Sequence, residues 1–271
     1  MEPATVLGVG INSQVFLSPP GFEATTVDLT SAGINLTDAN TVFDFDNYNR
    51  PLFSLISGLP RHHKIIVVGH SIGGASVTEA LCKFTDKISM AVYLVADMVQ
   101  PGSTSSPHLI MYVGEEEDIW EYTYGEGADK PPTSAQMKEN IDGIISIAKA
   151  LLRLLSLLDV ILASKLLRPC PVRALRGIDK LPPNPEAEKV PRVYIKTAKD
   201  NLCDPILQDR MVEKWPPSQL YTLEESDHSA FFSVPTTLFT CLLRAQQVAT
   251  WEAPIYLSPL HVLLINSPYN S

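Results

Sequence analysis

The chain has 271 residues, 45% of them apolar and 19% charged, which is enough to bury a sizeable core and unlike a disordered polymer. Its net charge of −9 disfavours nucleic acid and anionic membrane as partners. Cys82, Cys170, Cys203 and Cys241 are scattered without a C-x-x-C pair, so neither a zinc ribbon nor a disulfide framework is expected, and reduced thiols in a cytoplasmic protein are.

In chain order, "MEPATVLGVGINSQ" lacks the basic segment and long apolar core of a secretory signal. "ATTVDL" (24–29) predicts a strand, and "NYNRPLFSLISGLP" (47–60) a helix closed by Gly58 and Pro60. "KIIVVG" (64–69) is β-rich without alternation, as in a strand covered on both faces. "ASVTEALCKFTDK" (75–87) has helical periodicity, with Val77, Ala80, Leu81 and Phe84 on one face, and "ISMAVYLVA" (88–96) is a second buried strand.

Residues 100–190 carry little strand signal, being first polar and Gly/Pro-rich and then strongly helical. The apolar stretch 143–167 is interrupted by Lys149, Arg153, Asp159 and Lys165, whereas a membrane span needs about 20 largely uncharged residues. It predicts a buried or capping helix. "RVYIKT" (192–197) and "SQLYTLE" (218–224) then read as strands, alternating with helices at "PILQDRMVEKW" (205–215) and "PTTLFTCLLRAQQVA" (235–249). Such alternation predicts an α/β domain with a mostly parallel sheet and helices on both faces. The expected division is a core over 1–99 and 191–250, a helical cap inserted over 100–190, and a tail over 251–271 that carries no motif.

One stretch points to chemistry. "VVGHSIGGAS" (67–76) holds the G-x-S-x-G pattern as Gly69, Ser71 and Gly73, arriving at the end of an apolar run and followed by a helical one. A neutral serine is a poor nucleophile and needs a base to remove its proton, usually a histidine held in one tautomer by a carboxylate. On a strand–turn–helix elbow of this kind, acid and histidine follow the serine in that order, each just past a strand. Asp200 and Asp204 follow the strand 192–197, and Asp227 and His228 follow the strand 218–224.

His228 is the expected base. His62 and His63 lie in a charged loop, His108 in the cap, His261 in the tail, and His70 inside the elbow, where its ring would pack beside the site. Asp200 is preferred as the acid. Asp204 adjoins Pro205 and suits a helix N-cap, and Asp227 suits a loop-stabilising role. No metal-ligand spacing occurs, and this chemistry requires no metal or cofactor.

"VPRVYIKT", "WPPSQLYTLEESDHSAFFS" and "KPPTSAQMK", together with "GHSIGG", resemble the plant methylesterase family of the α/β-hydrolases, from about Gly21 to Val248. "VPRVYIKT" and "WPPSQ" look closest to the branch acting on methyl indole-3-acetate, with methyl jasmonate and methyl salicylate open. The resemblance implies an α/β-hydrolase fold and a carboxylesterase with Ser71 as nucleophile, His228 as base and Asp200 as its acid. It also implies the backbone N–H of Ile72 as one oxyanion donor, and a small-molecule ester as partner. A homodimer is open as the assembly. Hydroxynitrile lyases share this triad but carry a lysine just after the histidine, where Ser229 stands here.

The resemblance breaks at the start of the chain. It implies an opening strand that runs into a His-Gly loop, the source of a second oxyanion donor, and then a tryptophan-containing helix. "MEPATVLGVGINSQVFLSPPGFEATTVDL" has neither, and 10 residues between Gly10 and Gly21 are too few for the helix and its turns. A truncated or altered N-terminus is expected, although "TVLGVG" (5–10) offers a short strand instead. Loss of one preorganised oxyanion donor costs about 10² to 10³ in turnover. The alternative reading is therefore a catalytically impaired protein of this fold that binds a small carboxylic acid or ester.

Overall fold

Val67 and Val68 sit in the most deeply buried strand of the molecule, and the remaining layers build outward from it. The computed structural model describes residues 22–61, 63–103, 120–137, 168–250 and 260–266. The strands are β1 (Phe22–Asp28), β2 (Ile65–His70), β3 (Ile88–Leu94), β4 (Trp120–Thr123), β5 (Ser134–Met137), β6 (Arg192–Thr197), β7 (Gln219–Leu223) and β8 (Leu260–Asn266). The main helices are α1 (Phe45–Gly58), α2 (Gly73–Lys83), α3 (Pro205–Lys214) and α4 (Pro235–Thr250), with shorter turns between.

Six strands form one sheet in the order β1-β8-β2-β3-β6-β7, with every neighbouring pair parallel. β2 is buried along its whole length, and β3 at all but Ser89, so neither strand alternates: both faces are covered. Within residues 22–99 and 191–250 the strands and helices follow the predicted elements to within a few residues.

Helix ends are set by local chemistry. Asp44 caps α1 by accepting from the N–H of Asn47 at 2.7 Å. Pro51 lies inside α1 and cannot donate to the carbonyl four residues back. That carbonyl, Asn47 O, instead accepts from Thr30 Oγ1 at 2.7 Å, which ties the helix to the end of β1. Lys87 Nζ donates to the carbonyls of Ile56, Ser57 and Leu59, satisfying the free C-terminal end of the same helix.

Two expectations are corrected. The sequence predicts a motif-free tail over 251–271, yet residues 260–266 form β8, inserted in parallel between β1 and β2. Val262, Leu263 and Ile265 are all buried there. The physical reason is a gap. β1 and β2 are separated by one strand position, and a short β-rich segment can fill it with hydrogen bonds on both sides. The second correction concerns the cap. Residues 120–137 form an antiparallel hairpin, β4 with β5, where a helical insertion is predicted. Gly127 takes φ +115 in the connecting turn, and Ala135 bridges further to Cys170, so β5 has partners on both sides. The helical stretch expected around 141–162 and the altered segment 1–21 lie outside the described residues. Among the described residues no helix is long and apolar enough to cross a membrane.

Candidate active site

Ser71 stands directly after β2 with φ +54, a left-handed conformation uncommon outside glycine. Its neighbours hold it there. The Ser71 N–H donates to Leu94 O at 3.3 Å, while Ser71 O accepts from the N–H groups of Gly74 (3.1 Å) and Asp97 (2.9 Å). Close approach demands the glycines. A Cβ on Gly69 would fall 2.6 Å from Val77 Cγ2, and one on Gly74 would fall 2.7 Å from both Ala96 Cβ and Asp97 O. Gly74, outside the pentapeptide pattern, is thus as constrained as Gly69. Val95, just past the adjoining end of β3, also has positive φ (40°), so the carboxyl end of the sheet is strained beyond two neighbouring strands.

The acid lies past β6. Asp200 is buried, and four donors occupy its carboxylate. Oδ1 accepts from the N–H groups of Leu202 and Cys203, both at 2.8 Å, and Oδ2 accepts from Thr197 Oγ1 at 2.9 Å and from His228 Nδ1 at 2.8 Å. Burial by itself raises the carboxyl pKa. The facing imidazole and the backbone donors outweigh it and hold Asp200 below the ordinary carboxylate value. Gln208, buried on α3, clamps the same loop. Its Oε1 accepts from Thr197 N, and its Nε2 donates to the carbonyls of Thr197 (3.0 Å) and Cys203 (2.8 Å).

The histidine arrives past β7. His228 is fully buried, with Nδ1 against Asp200 and Nε2 3.0 Å from Ser71 Oγ. An ionised carboxylate only accepts, so Nδ1 carries the proton and the Nε2 lone pair faces the serine hydroxyl. A chain of polar groups therefore runs Ser71–His228–Asp200 through the buried interior, drawn from the ends of β2, β7 and β6. Ligands of open parallel sheets bind at these carboxyl ends.

The rejected candidates find other work. Asp204 caps α3 by accepting from Ile206 N at 2.7 Å. Asp227 Oδ1 accepts from Ser229 N at 3.0 Å within the histidine loop. His70 packs against His228 with ring centroids 4.8 Å apart. Ile72 is buried at the start of α2, where the first N–H groups of a helix lack intrahelical acceptors and favour negative charge. Among the described residues no cluster of side chains could hold a metal ion. Sequence reasoning missed Thr197 and Gln208, whose bonds to the Asp200 loop leave no local signature, and Gly74, whose neighbours come from a different strand.

A strand–turn–helix elbow bearing Ser71 on a parallel sheet, with a histidine and an acid from later strand ends, defines the class as α/β hydrolase. Comparison agrees: residues 11–239 match the model of the alpha/beta hydrolase family. Pheophorbidase of Raphanus sativus is 77% identical over 83% of this chain and 84% of its own. The pFDCC methylesterase MES16 of Arabidopsis thaliana is 70% identical over 84% of this chain and 86% of its own. The crystal structure of the Arabidopsis methylesterase MES16 superposes with a TM-score of 0.78, at 62% identity, covering 89% of this chain and 94% of that one. The chain belongs to the plant methylesterases of the alpha/beta hydrolase family, which are hydrolases of carboxylic esters.

Proposed function

We propose that the chain hydrolyses the methyl ester of a small-molecule carboxylic acid with Ser71 as nucleophile, His228 as general base and acid, and Asp200 as the group that orients His228. One observation carries the assignment: the buried imidazole of His228 bridges Ser71 Oγ at 3.0 Å and Asp200 Oδ2 at 2.8 Å. Ser71 Oγ attacks the ester carbonyl while His228 Nε2 takes its proton. The carbonyl oxygen becomes an oxyanion at the N-terminus of α2, where the N–H of Ile72 donates to it. Collapse expels methoxide, which takes the proton back from His228 and leaves as methanol. Water, activated by the same histidine, then attacks the acyl-enzyme and frees the acid and Ser71.

Asp200 stabilises the imidazolium formed in each half-reaction without itself taking the proton. For the substrate, the names of the relatives at 77% and 70% identity support the esters those names denote, pheophorbide and pFDCC. Methyl indole-3-acetate, favoured by the sequence motifs, and methyl jasmonate and methyl salicylate are the comparison substrates.

The test measures methanol release by the purified protein and by Ser71→Ala on each ester. Loss of turnover by about 10³-fold or more in the variant, on whichever ester is cleaved fastest, is the expected result. Equal turnover by two folded proteins removes Ser71 from the mechanism. Absence of turnover in the parent protein, together with calorimetric binding of the acid, would replace hydrolysis by the binding reading.

A further inference from the structure

His70 precedes the nucleophile and is 4% exposed, yet it takes no part in the proton relay. Its Nε2 lies 2.7 Å from the main-chain carbonyl oxygen of His228. A carbonyl oxygen only accepts, so Nε2 carries a proton and donates it. The two rings lie 4.8 Å apart at 47°, and Phe231 meets the His70 ring edge-on at 5.8 Å and 87°. The ring is thus held on two sides, with its donor aimed at the backbone of the base.

We propose that His70 is a positioning residue, a staple between the nucleophile strand and the histidine loop that keeps His228 in place after its bond to Ser71 is gone. This rests on the reading of Ser71, His228 and Asp200 as the catalytic triad. In the resting enzyme the Ser71–His228 side-chain bond and the His70 bond to the His228 main chain both join the elbow to the base. The first does not survive acylation. Once Ser71 Oγ is esterified it has no proton to donate, and Nε2 must turn to a water molecule instead. The second link touches only the main chain of His228 and is indifferent to the state of Ser71. Asp200 fixes the far end of the ring through Nδ1, and the Lys199 N–H donates to Ser226 O at 2.8 Å, so these bonds join the histidine loop to the acid loop rather than to the elbow. The His70 bond supplies a restraint that comes from the elbow itself and outlasts acylation, so its removal falls more heavily on deacylation than on acylation.

The test uses p-nitrophenyl acetate and rapid mixing, which separate the acylation burst from steady-state turnover. His70→Phe keeps a planar ring and removes the donor; His70→Gln keeps a donor within similar reach; Ser71→Ala is the control for the triad. A misplacement of about 1 Å costs up to about 100-fold. The expected result for His70→Phe is a 10- to 100-fold fall in kcat accompanied by a fall in KM, because the acyl-enzyme accumulates, with a larger loss in deacylation than in the burst and substantial recovery in His70→Gln.

Steady-state kcat within twofold of the parent in His70→Phe, or equal losses in a folded His70→Gln, overturns the proposal. So does a rise in KM with kcat unchanged. Should Ser71→Ala retain turnover, the triad reading fails first and the staple with it. Loss of activity in Ser71→Ala beside an unimpaired His70→Phe defeats the staple alone. If His70→Phe does not fold, nitrogen NMR of histidine-labelled parent protein decides: a protonated Nε2 on His70, protected from exchange, supports the staple, and an unprotonated Nε2 refutes it.

Discussion

Leu263 lies at the middle of β8, fully buried, opposite Thr25 of β1 on one side and Val67 of β2 on the other. Replacing it by alanine deletes buried methyl groups between two strands that cannot readily close over the gap. Large-to-small changes of this kind cost about 2 to 5 kcal/mol. For a chain of this size each kcal/mol lowers the melting temperature by roughly 2 to 4 °C. Leu263→Ala should therefore melt about 4 to 20 °C below the parent in a calorimetric or circular-dichroism scan. Ile34→Ala, at a side chain 59% exposed, should melt within a degree or two of it.

Ending the chain at Thr250 removes Val262, Leu263 and Ile265 together. At about 1.5 to 3 kcal/mol each, they sum to about 5 to 9 kcal/mol, comparable with the whole stability of a typical domain. The shortened chain should be unfolded and inactive, because β1 loses its neighbour and both faces of the gap become open strand edges. A chain ending at Thr250 that melts and hydrolyses ester like the parent would refute the placement of β8 in the sheet.

Asp200→Asn should lower kcat by about 10³ to 10⁴ with little change in KM, because the new amide can donate to Nδ1 and so place the imidazole proton on Nε2, facing the serine; steady-state kinetics checks this. Gly74→Ala should destabilise the fold by about 1 to 3 kcal/mol and reduce turnover, since its Cβ would meet Ala96 Cβ and Asp97 O at 2.7 Å; the paired readouts are a denaturant titration and a burst assay. Glu79 is buried on α2, accepting from Asn49 Nδ2 at 2.5 Å, and burial raises its carboxyl to about 7 despite Asn49 and Lys83. The folded state therefore binds the proton more tightly than the unfolded chain does, and stability is highest below the unfolded value and falls as pH rises toward about 7. Glu79→Gln should gain stability relative to the parent at pH 8 and little at pH 4, by up to about 3 kcal/mol; melts at the two pH values that show the same difference would defeat this.

Ser71, Asp200 and His228 were legible because each belongs to a local pattern: an elbow on an apolar run, and an acid and a histidine in loops just past predicted strands. The parallel sheet was legible too, since β2 and β3 are unbroken apolar runs that only a doubly covered sheet explains. What no local pattern carries is who sits beside whom. "LHVLLIN" has the composition of a buried strand, but its position between β1 and β2 depends on a gap created by residues some 200 positions earlier. Gln208 reads as an ordinary helix residue until α3 turns it onto the loop that holds Asp200. His70 reads as a mere neighbour of Ser71 until the fold sets its Nε2 against the carbonyl of a residue 158 positions away. By itself, then, the sequence determined the elements and singled out the residues proposed for the relay, because propensity and periodicity act over a few residues. Tertiary structure decided the strand that closes the sheet and the side chains that restrain the relay, because those contacts form only once distant segments pack together.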